Sequence, residues 1–165
     1  MTIADAAARS RALDPRTSFS VQAPAGSGKT ELLTQRLLVL LATVDEPEEV
    51  VAITFTRKAA AEMRARVFRA IRDAAVSGMP DDAHKAQTWQ LASAVLARSR
   101  QCGWQLDDNP QRLRVMTIDA LCMQITQRMP LTSGFGGRVQ IADEAEPLSR
   151  EAARATLDAL EAQPP

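Results

Sequence analysis

An excess of charge of either sign is missing from this sequence. Lys and Arg together number 20, as do Asp and Glu, so the formal net charge is zero. Overall charge makes no case for nucleic acid, and any basic surface must be local. Cysteine is scarce: Cys102 and Cys122 form no CxxC pair, and free thiols in a reducing compartment are the expectation. No long hydrophobic run exists. The longest, "LLVLLATV" from Leu37 to Val44, is far too short to span a bilayer. The opening "MTIADAAARSRALDP" lacks the apolar run of an export signal. A soluble cytoplasmic protein with no membrane partner is therefore expected. The sole histidine, His84, lies in the polar turn "PDDAHK" without a metal-ligand set and is expected at the surface. Aromatics make up 4% of the chain, and Trp89 and Trp104 read as packing residues, not base-stacking platforms.

What is present suffices for one domain: 165 residues, 45% of them hydrophobic. Ser18 to Gln22, "SFSVQ", alternate polar and apolar and predict a strand running into a glycine loop. Lys29 to Val44 carry Leu32, Leu33, Leu37, Leu40 and Leu41 at helical spacing. After the acidic turn "DEPEE", the run "VVAITFT" from Val50 to Thr56 suits a strand buried on both faces. Thr56 then caps a helix with Ala60, Met63, Val67 and Ile71 on one face. A second helix is predicted over Lys85 to Arg100, a third strand over Arg114 to Ala120, and a helix "LCMQITQRM" ending at Pro130. "TSGFGG", Thr132 to Gly137, reads as a loop, "RVQIAD" as a weak strand, and Pro147 to Ala162 as a final helix. Strands joined by helical crossovers imply a parallel sheet covered by helices, and the long second crossover implies a helical insertion.

The stretch "APAGSGKTE", Ala23 to Glu31, has the parts of a phosphate-binding loop. Gly26 and Gly28 let the backbone curl so that its N–H groups face oxygens. Lys29 supplies a cation for the phosphates, and Thr30 a hydroxyl for Mg²⁺. A helix starts there, turning its positive end toward the anion. Pro24, Ala25 and Ser27 complete the loop, with Ala23 in the slot that usually holds glycine; a methyl fits there if φ is negative. The loop alone names no reaction, since many enzyme classes use it.

Three segments together resemble the superfamily 1 helicases of the UvrD/RecB type. "APAGSGKT" resembles their motif I, in which a first-slot alanine is common. "AITFTRKAAAEMRARV", Ala52 to Val67, resembles motif Ia, and "VMTIDALC", Val115 to Cys122, resembles motif Ib. The order and spacing agree across Phe19 to Met129, and the branch looks closest to AddA/RecB-like motor subunits of helicase-nucleases. The resemblance implies a P-loop NTPase of RecA-like fold: a parallel sheet flanked by helices, with a helical insertion at approximately 74–112, a further helical segment beginning at 133–165, and the domain incomplete. It implies ATP and Mg²⁺ as cofactors, and single-stranded DNA as partner. It also implies a second helicase-nuclease subunit for a candidate partner, and a role in DNA repair and recombination. Lys29 and Thr30 would be catalytic, and Ala23 through Glu31, with Arg11, would hold the nucleotide. Thr54, Thr56, Arg57, Lys58, Thr117 and Asp119 would meet DNA.

Elementary chemistry supports a DNA role for that last set. Ligands of open parallel sheets lie beyond the carboxyl ends of strands, and hydroxyls, helix N-termini and cations there bind phosphates without reading bases. Phe55 could stack a base, but the continuous apolar pattern favours core packing. From Arg57 to Asp73, six cations face two acids, which fits either a DNA footprint or a solvated helix face.

Two positions depart from the family: Arg57 stands where many members have asparagine, and Ser10 where relatives of this branch often carry the glutamine that reads adenine. A serine hydroxyl cannot make that bidentate contact. Asp143–Glu144 imitates a magnesium-binding carboxylate pair, yet Val139 to Ala142 alternate with polarity, so a helix-entry acidic pair is the expectation. No arginine finger or nuclease set can be placed in the sequence. The chain reads as the N-terminal ATP-binding part of such a helicase, inactive alone; the alternative is a truncated module that binds nucleotide or DNA without turnover.

Overall fold

The computed structural model describes residues 5–106, 108–129, 132 and 144–161. It is a helix-rich α/β structure with a small parallel sheet. Two compact units divide the chain, Met1–Cys122 and Met123–Pro165. The first contains α1 (Ala6–Ala12), α2 (Lys29–Leu41), β1 (Val51–Thr54), α3 (Arg57–Val76), α4 (Ala83–Cys102), β2 (Arg114–Thr117) and the start of α5 (Ile118–Arg128). The second contains the rest of α5 and α6 (Glu146–Glu161). No helix among the described residues is long and apolar enough to cross a membrane.

Local signals mark the start of α3 and both ends of α4. Thr56 is extended, and its hydroxyl oxygen accepts from the Ala59 N–H at 3.1 Å, satisfying one of the orphan donors of α3. The Asp82 carboxylate accepts from the N–H groups of His84 and Lys85 at the start of α4. Those bonds, that of Lys85 first, hold the Asp82 carboxyl below its ordinary value. At the other end of α4, Gly103 takes a left-handed φ of 66°, and the Trp104 N–H returns to the Ser99 carbonyl at 3.0 Å.

The core follows the periodicity of the helices. Leu37, Leu38 and Leu41 of α2, Ala60, Val67 and Ile71 of α3, and Ala92 and Val95 of α4 form one buried cluster with Trp104, Leu113 and Val115. Burying each of its leucine, isoleucine and valine side chains contributes roughly 1.5–3 kcal/mol. α3 is the central element, touching both strands, α2 and α4. The Arg64 guanidinium adds a polar tie, donating to the Val115 carbonyl of β2 at 2.6 Å.

The acidic turn predicted at "DEPEE" is a 3-10 turn, Pro47–Glu49, held by two arginines. Arg98 donates to the Val44 carbonyl at 2.8 Å and pairs with the Asp45 carboxylate. Arg112 pairs with Glu48 at 2.7 Å and with Glu46 at 2.5 Å. The Trp104 ring, fully buried, donates from Nε1 to the Asp45 carbonyl at 2.6 Å.

Three expectations are corrected. β1 is shorter than the run Val50 to Thr56, and it is not buried on both faces: Val51 and Ile53 are exposed while Ala52 and Thr54 are half-buried. Only the face toward α3 is covered, so the β-branched run alternates in burial. Phe55, expected in the core, is 87% exposed, because the strand ends at Thr54 and the chain turns outward before α3. Residues 18–22 are not a strand in the sheet, which among the described residues has two strands, β1 and β2. Without a ladder partner to cover them, Phe19 and Val21 stay exposed.

Other expectations agree. The third strand is four residues long before α5 takes over, and the final helix runs Glu146–Glu161. His84 is exposed, and Trp89 is half-buried with Nε1 donating to the Ser77 carbonyl at 3.0 Å. Cys102 and Cys122 are free. The strand predicted at "RVQIAD", with Asp143, and all but Thr132 of the loop "TSGFGG" lie outside the described residues.

Candidate functional site

Between residue 22 and α2 the chain makes the curl that glycine permits. Gly26 has a φ of 77° and Gly28 of 79°, both left-handed. Gly28 is also the N-cap of α2, so the turn delivers the chain directly into the helix. Lys29 folds back across the curl: its Nζ donates to the carbonyls of Ala23 and Pro24, each at 2.6 Å. The Ser27 Oγ is buried and has no hydrogen-bond partner. An orphaned hydroxyl beside a cation and a helix N-terminus fits a ligand rich in acceptors. Two positive-φ glycines, a lysine and free helix N–H groups thus fit a phosphate chain.

A cleft of about 580 Å³ lies beside this curl, lined by Arg9, Arg11, Asp14, Phe19, Ser27 and Lys29 among others. Its far wall is α1, which Arg9 and Arg36 attach to the rest. Arg9 pairs with Asp5 one turn earlier, both oxygens at 3.0 Å, and donates from Nη2 to the Ser27 carbonyl at 2.5 Å. That pairing holds the Asp5 carboxyl below its ordinary value. The Asp14 carboxyl is also lowered, first by the Arg16 N–H and then by the Thr17 hydroxyl. Arg36 donates to the carbonyls of Ala12, Asp14 and Thr17.

Of the residues the sequence proposed for nucleotide, Ala23, Ser27, Lys29 and Arg11 line the cleft. Ser10 does not. Thr30 is exposed at the start of α2, and its carbonyl accepts from the Thr34 hydroxyl at 2.8 Å. Glu31 turns from the cleft toward α4, where its carboxylate accepts from Thr88. Sequence reasoning missed Arg9 and Arg36. The spacing of Asp5 and Arg9 at i,i+4 was a legible signal for the first; nothing local marked the second.

A second site forms where the strands end. Thr54 and Thr117 are register partners in the parallel pair, so the proposed DNA-contacting residues of both strands share one edge of the sheet. Each strand runs straight into a helix. The Thr56 hydroxyl accepts from Ala59 N–H and the Thr117 hydroxyl from Ala120 N–H at 3.2 Å, and each keeps a hydrogen to donate outward. Arg57 and Lys58 are exposed at the N-terminus of α3, and no described acid pairs with either. Asp119 is exposed in the first turn of α5. Phe55 projects from the same edge.

Curl, lysine and paired strand ends belong to one α/β unit. The profile of the UvrD/REP helicase N-terminal domain family matches residues 4–163, and the chain belongs to that family. It is 31% identical over 142 residues to an ATP-dependent helicase/nuclease subunit from Desulfitobacterium hafniense, covering 84% of this chain and 9% of the relative. It is 37% identical over 102 residues to the subunit of the same name from Lysinibacillus sphaericus, covering 54% of this chain and 8% of the relative. It is 39% identical over 111 residues to the ATP-dependent DNA helicase UvrD2 of Mycobacterium tuberculosis, covering 61% of this chain and 15% of the relative. The chain thus spans roughly a tenth of the length of the curated relatives it matches. No solved structure matches it.

Proposed function

We propose that this chain is the ATP-binding segment of an ATP-dependent DNA helicase or helicase-nuclease, with a RecA-like arrangement around the curl at Ala23–Thr30. The observation that carries the reading is Lys29 crossing the mouth of a two-glycine curl at the start of α2. Its ammonium now rests on two neutral carbonyls. A triphosphate would offer charged oxygens instead, and charge-assisted bonds of that kind are roughly twice as strong. The N–H groups at the start of α2 would take the remaining oxygens, and Ser27 would find its missing partner. Thr30 would hold Mg²⁺, which when bound neutralises phosphate charge. Arg9 and Arg11 place donors on the opposite wall, toward the rest of the nucleotide.

Single-stranded DNA would lie across the strand ends. Thr54, Thr56, Arg57, Lys58 and Thr117 supply hydroxyls and cations for backbone phosphates, beside Asp119, and the exposed Phe55 supplies a stacking face. In the complete protein, ATP hydrolysis would drive stepping along that strand, in DNA repair and recombination. Its partner in the cytoplasm would be a second helicase-nuclease subunit. The names of the relatives support this reading.

The test is binding by the full chain. Calorimetry should show one MgATP site, and anisotropy of a labelled oligo-dT should show DNA binding. Lys29→Ala should lose nucleotide and keep DNA; Lys58→Ala should weaken DNA and keep nucleotide. A wild-type chain that ignores millimolar MgATP would sink the nucleotide reading. Nucleotide bound equally well by Lys29→Ala would sink the role of the loop.

A further inference from the structure

We infer that Thr88 of α4 is a positioning residue for the phosphate curl, coupling α4 to nucleotide occupancy through the first two turns of α2. This rests on the nucleotide reading of Ala23–Thr30. The observation is a three-residue relay around one hydroxyl. Thr88 Oγ1 donates to the Glu31 carboxylate at 2.7 Å and accepts from the Gln35 side-chain amide at 2.9 Å. Glu31 and Gln35 are one turn apart on α2, so the hydroxyl bridges two successive turns of that helix. Glu31 follows Lys29 and Thr30 directly, within the same first turn.

The relay is built into the packing. Gln35 is 2% exposed, and Thr88 is its described side-chain partner. A hydroxyl has one hydrogen and two lone pairs, so Thr88 can serve both neighbours at once. The short bond to a carboxylate takes the hydrogen; the alternative acceptor, the His84 carbonyl, lies at 3.5 Å. A neighbouring position on α2 is tied down too. Thr34, 3% exposed, donates to the Thr30 carbonyl at 2.8 Å and lies 3.7 Å from the Met63 sulfur of α3. The turn that carries Lys29 and Thr30 is thus fixed from both α3 and α4.

Two consequences follow. Rotation or translation of the first turn of α2 would have to break the Glu31–Thr88 bond or carry α4 with it. A phosphate chain needs several N–H groups and one ammonium placed together, and small misplacements of such donors are costly. Thr88 therefore acts on the nucleotide through α2, without touching it.

Thr88→Val keeps the β-branched shape and removes the hydroxyl; Thr88→Ser keeps the hydroxyl and removes the methyl. MgATP affinity of the full chain is measured by calorimetry for wild type and both variants, with binding stoichiometry as the check on folding. Expected is a Kd about tenfold weaker for Thr88→Val at unchanged stoichiometry, and wild-type affinity for Thr88→Ser. Equal affinity in Thr88→Val overturns the inference, as does a Thr88→Ser variant as weak as Thr88→Val. Hydrogen exchange on the wild type gives a reading that needs no variant. MgATP should slow amide exchange in the first turns of α4, residues 83–89, as well as in the curl. Protection confined to the curl overturns the coupling and leaves the nucleotide site standing. No binding by the wild type removes both.

Discussion

The guanidinium of Arg36 lies over the ring of Phe19, 5.3 Å from its centroid. The same group donates to the carbonyls of Ala12, Asp14 and Thr17, at 2.5, 3.1 and 2.8 Å. One side chain on α2 thus holds the connection from α1 toward the glycine curl at four points. Ala12 ends α1, and the Asp14 carbonyl has only a 3.4 Å turn bond from the Thr17 N–H, so the arginine supplies much of what secondary structure would. Arg36→Ala should destabilise the unit by about 2 kcal/mol, and Arg36→Lys should recover little, because an ammonium cannot serve three carbonyls in one plane. Chemical denaturation measures the first effect. Limited proteolysis should show new cleavage within residues 13–22 in both variants; an unchanged pattern would count against the tether.

Gly28 carries a second prediction. Its φ of 79° suits glycine, and a Cβ there would meet Arg9 Nη1 at 3.4 Å. Gly28→Ala should cost about 1–2 kcal/mol in backbone strain alone. The Arg9 contact itself is of ordinary van der Waals length, so the backbone carries the cost. Gly78, with no positive φ and nothing within 4 Å of an added Cβ, serves as the control: Gly78→Ala should be close to neutral in the same denaturation series.

Trp104 joins apolar burial to a polar bond, being fully buried with Nε1 on the Asp45 carbonyl. Trp104→Phe should keep most of the packing and leave that carbonyl unpaired, costing about 1–3 kcal/mol. Trp104→Ala adds a cavity and should cost about 3–5 kcal/mol. Equal losses for the two variants, measured by urea unfolding, would show that the ring contributes only its indole N–H.

Glu48 gives a pH dependence. Its bonds from Arg112 hold its carboxyl below the ordinary value of 4.5. A carboxylate lowered in the folded state stabilises the fold above its unfolded pKa and loses that contribution as pH falls through the folded one. Glu48→Gln should therefore melt below wild type at neutral pH, by a small margin since the pair is partly solvent-facing. The gap should narrow as pH falls below 4.5 and close only below the lowered folded value, where both side chains are neutral. A gap independent of pH would mean that the ion pair is not its source.

Much of the first unit was legible. Thr56 and Gly103 punctuate helices because a hydroxyl cap and a left-handed glycine act within a few residues. The curl at Gly26 and Gly28 was legible for the same reason. The misreadings came from the sheet. "VVAITFT" carries the composition of a doubly covered strand, yet Val51 and Ile53 face outward and Phe55 is almost bare. Whether a β-branched run is covered on one face or two depends on neighbours supplied by other segments, which no local pattern contains.

The residues alone made legible α2, α3, α4, β2 and α6, the Thr56 cap and the chemical kit at Ala23–Thr30, because these depend on φ preferences and side-chain groups a few residues apart; α1 was not foreseen, and residues 18–22 are no strand. Which groups share a site was settled by how the helices pack. The fold brought Thr54 opposite Thr117, set Arg9 against Ser27, and turned Glu31 out of the cleft onto Thr88. Those contacts join residues tens of positions apart, and they exist because the packing of α2, α3 and α4 around Val67 and Val95 leaves each helix one place to lie.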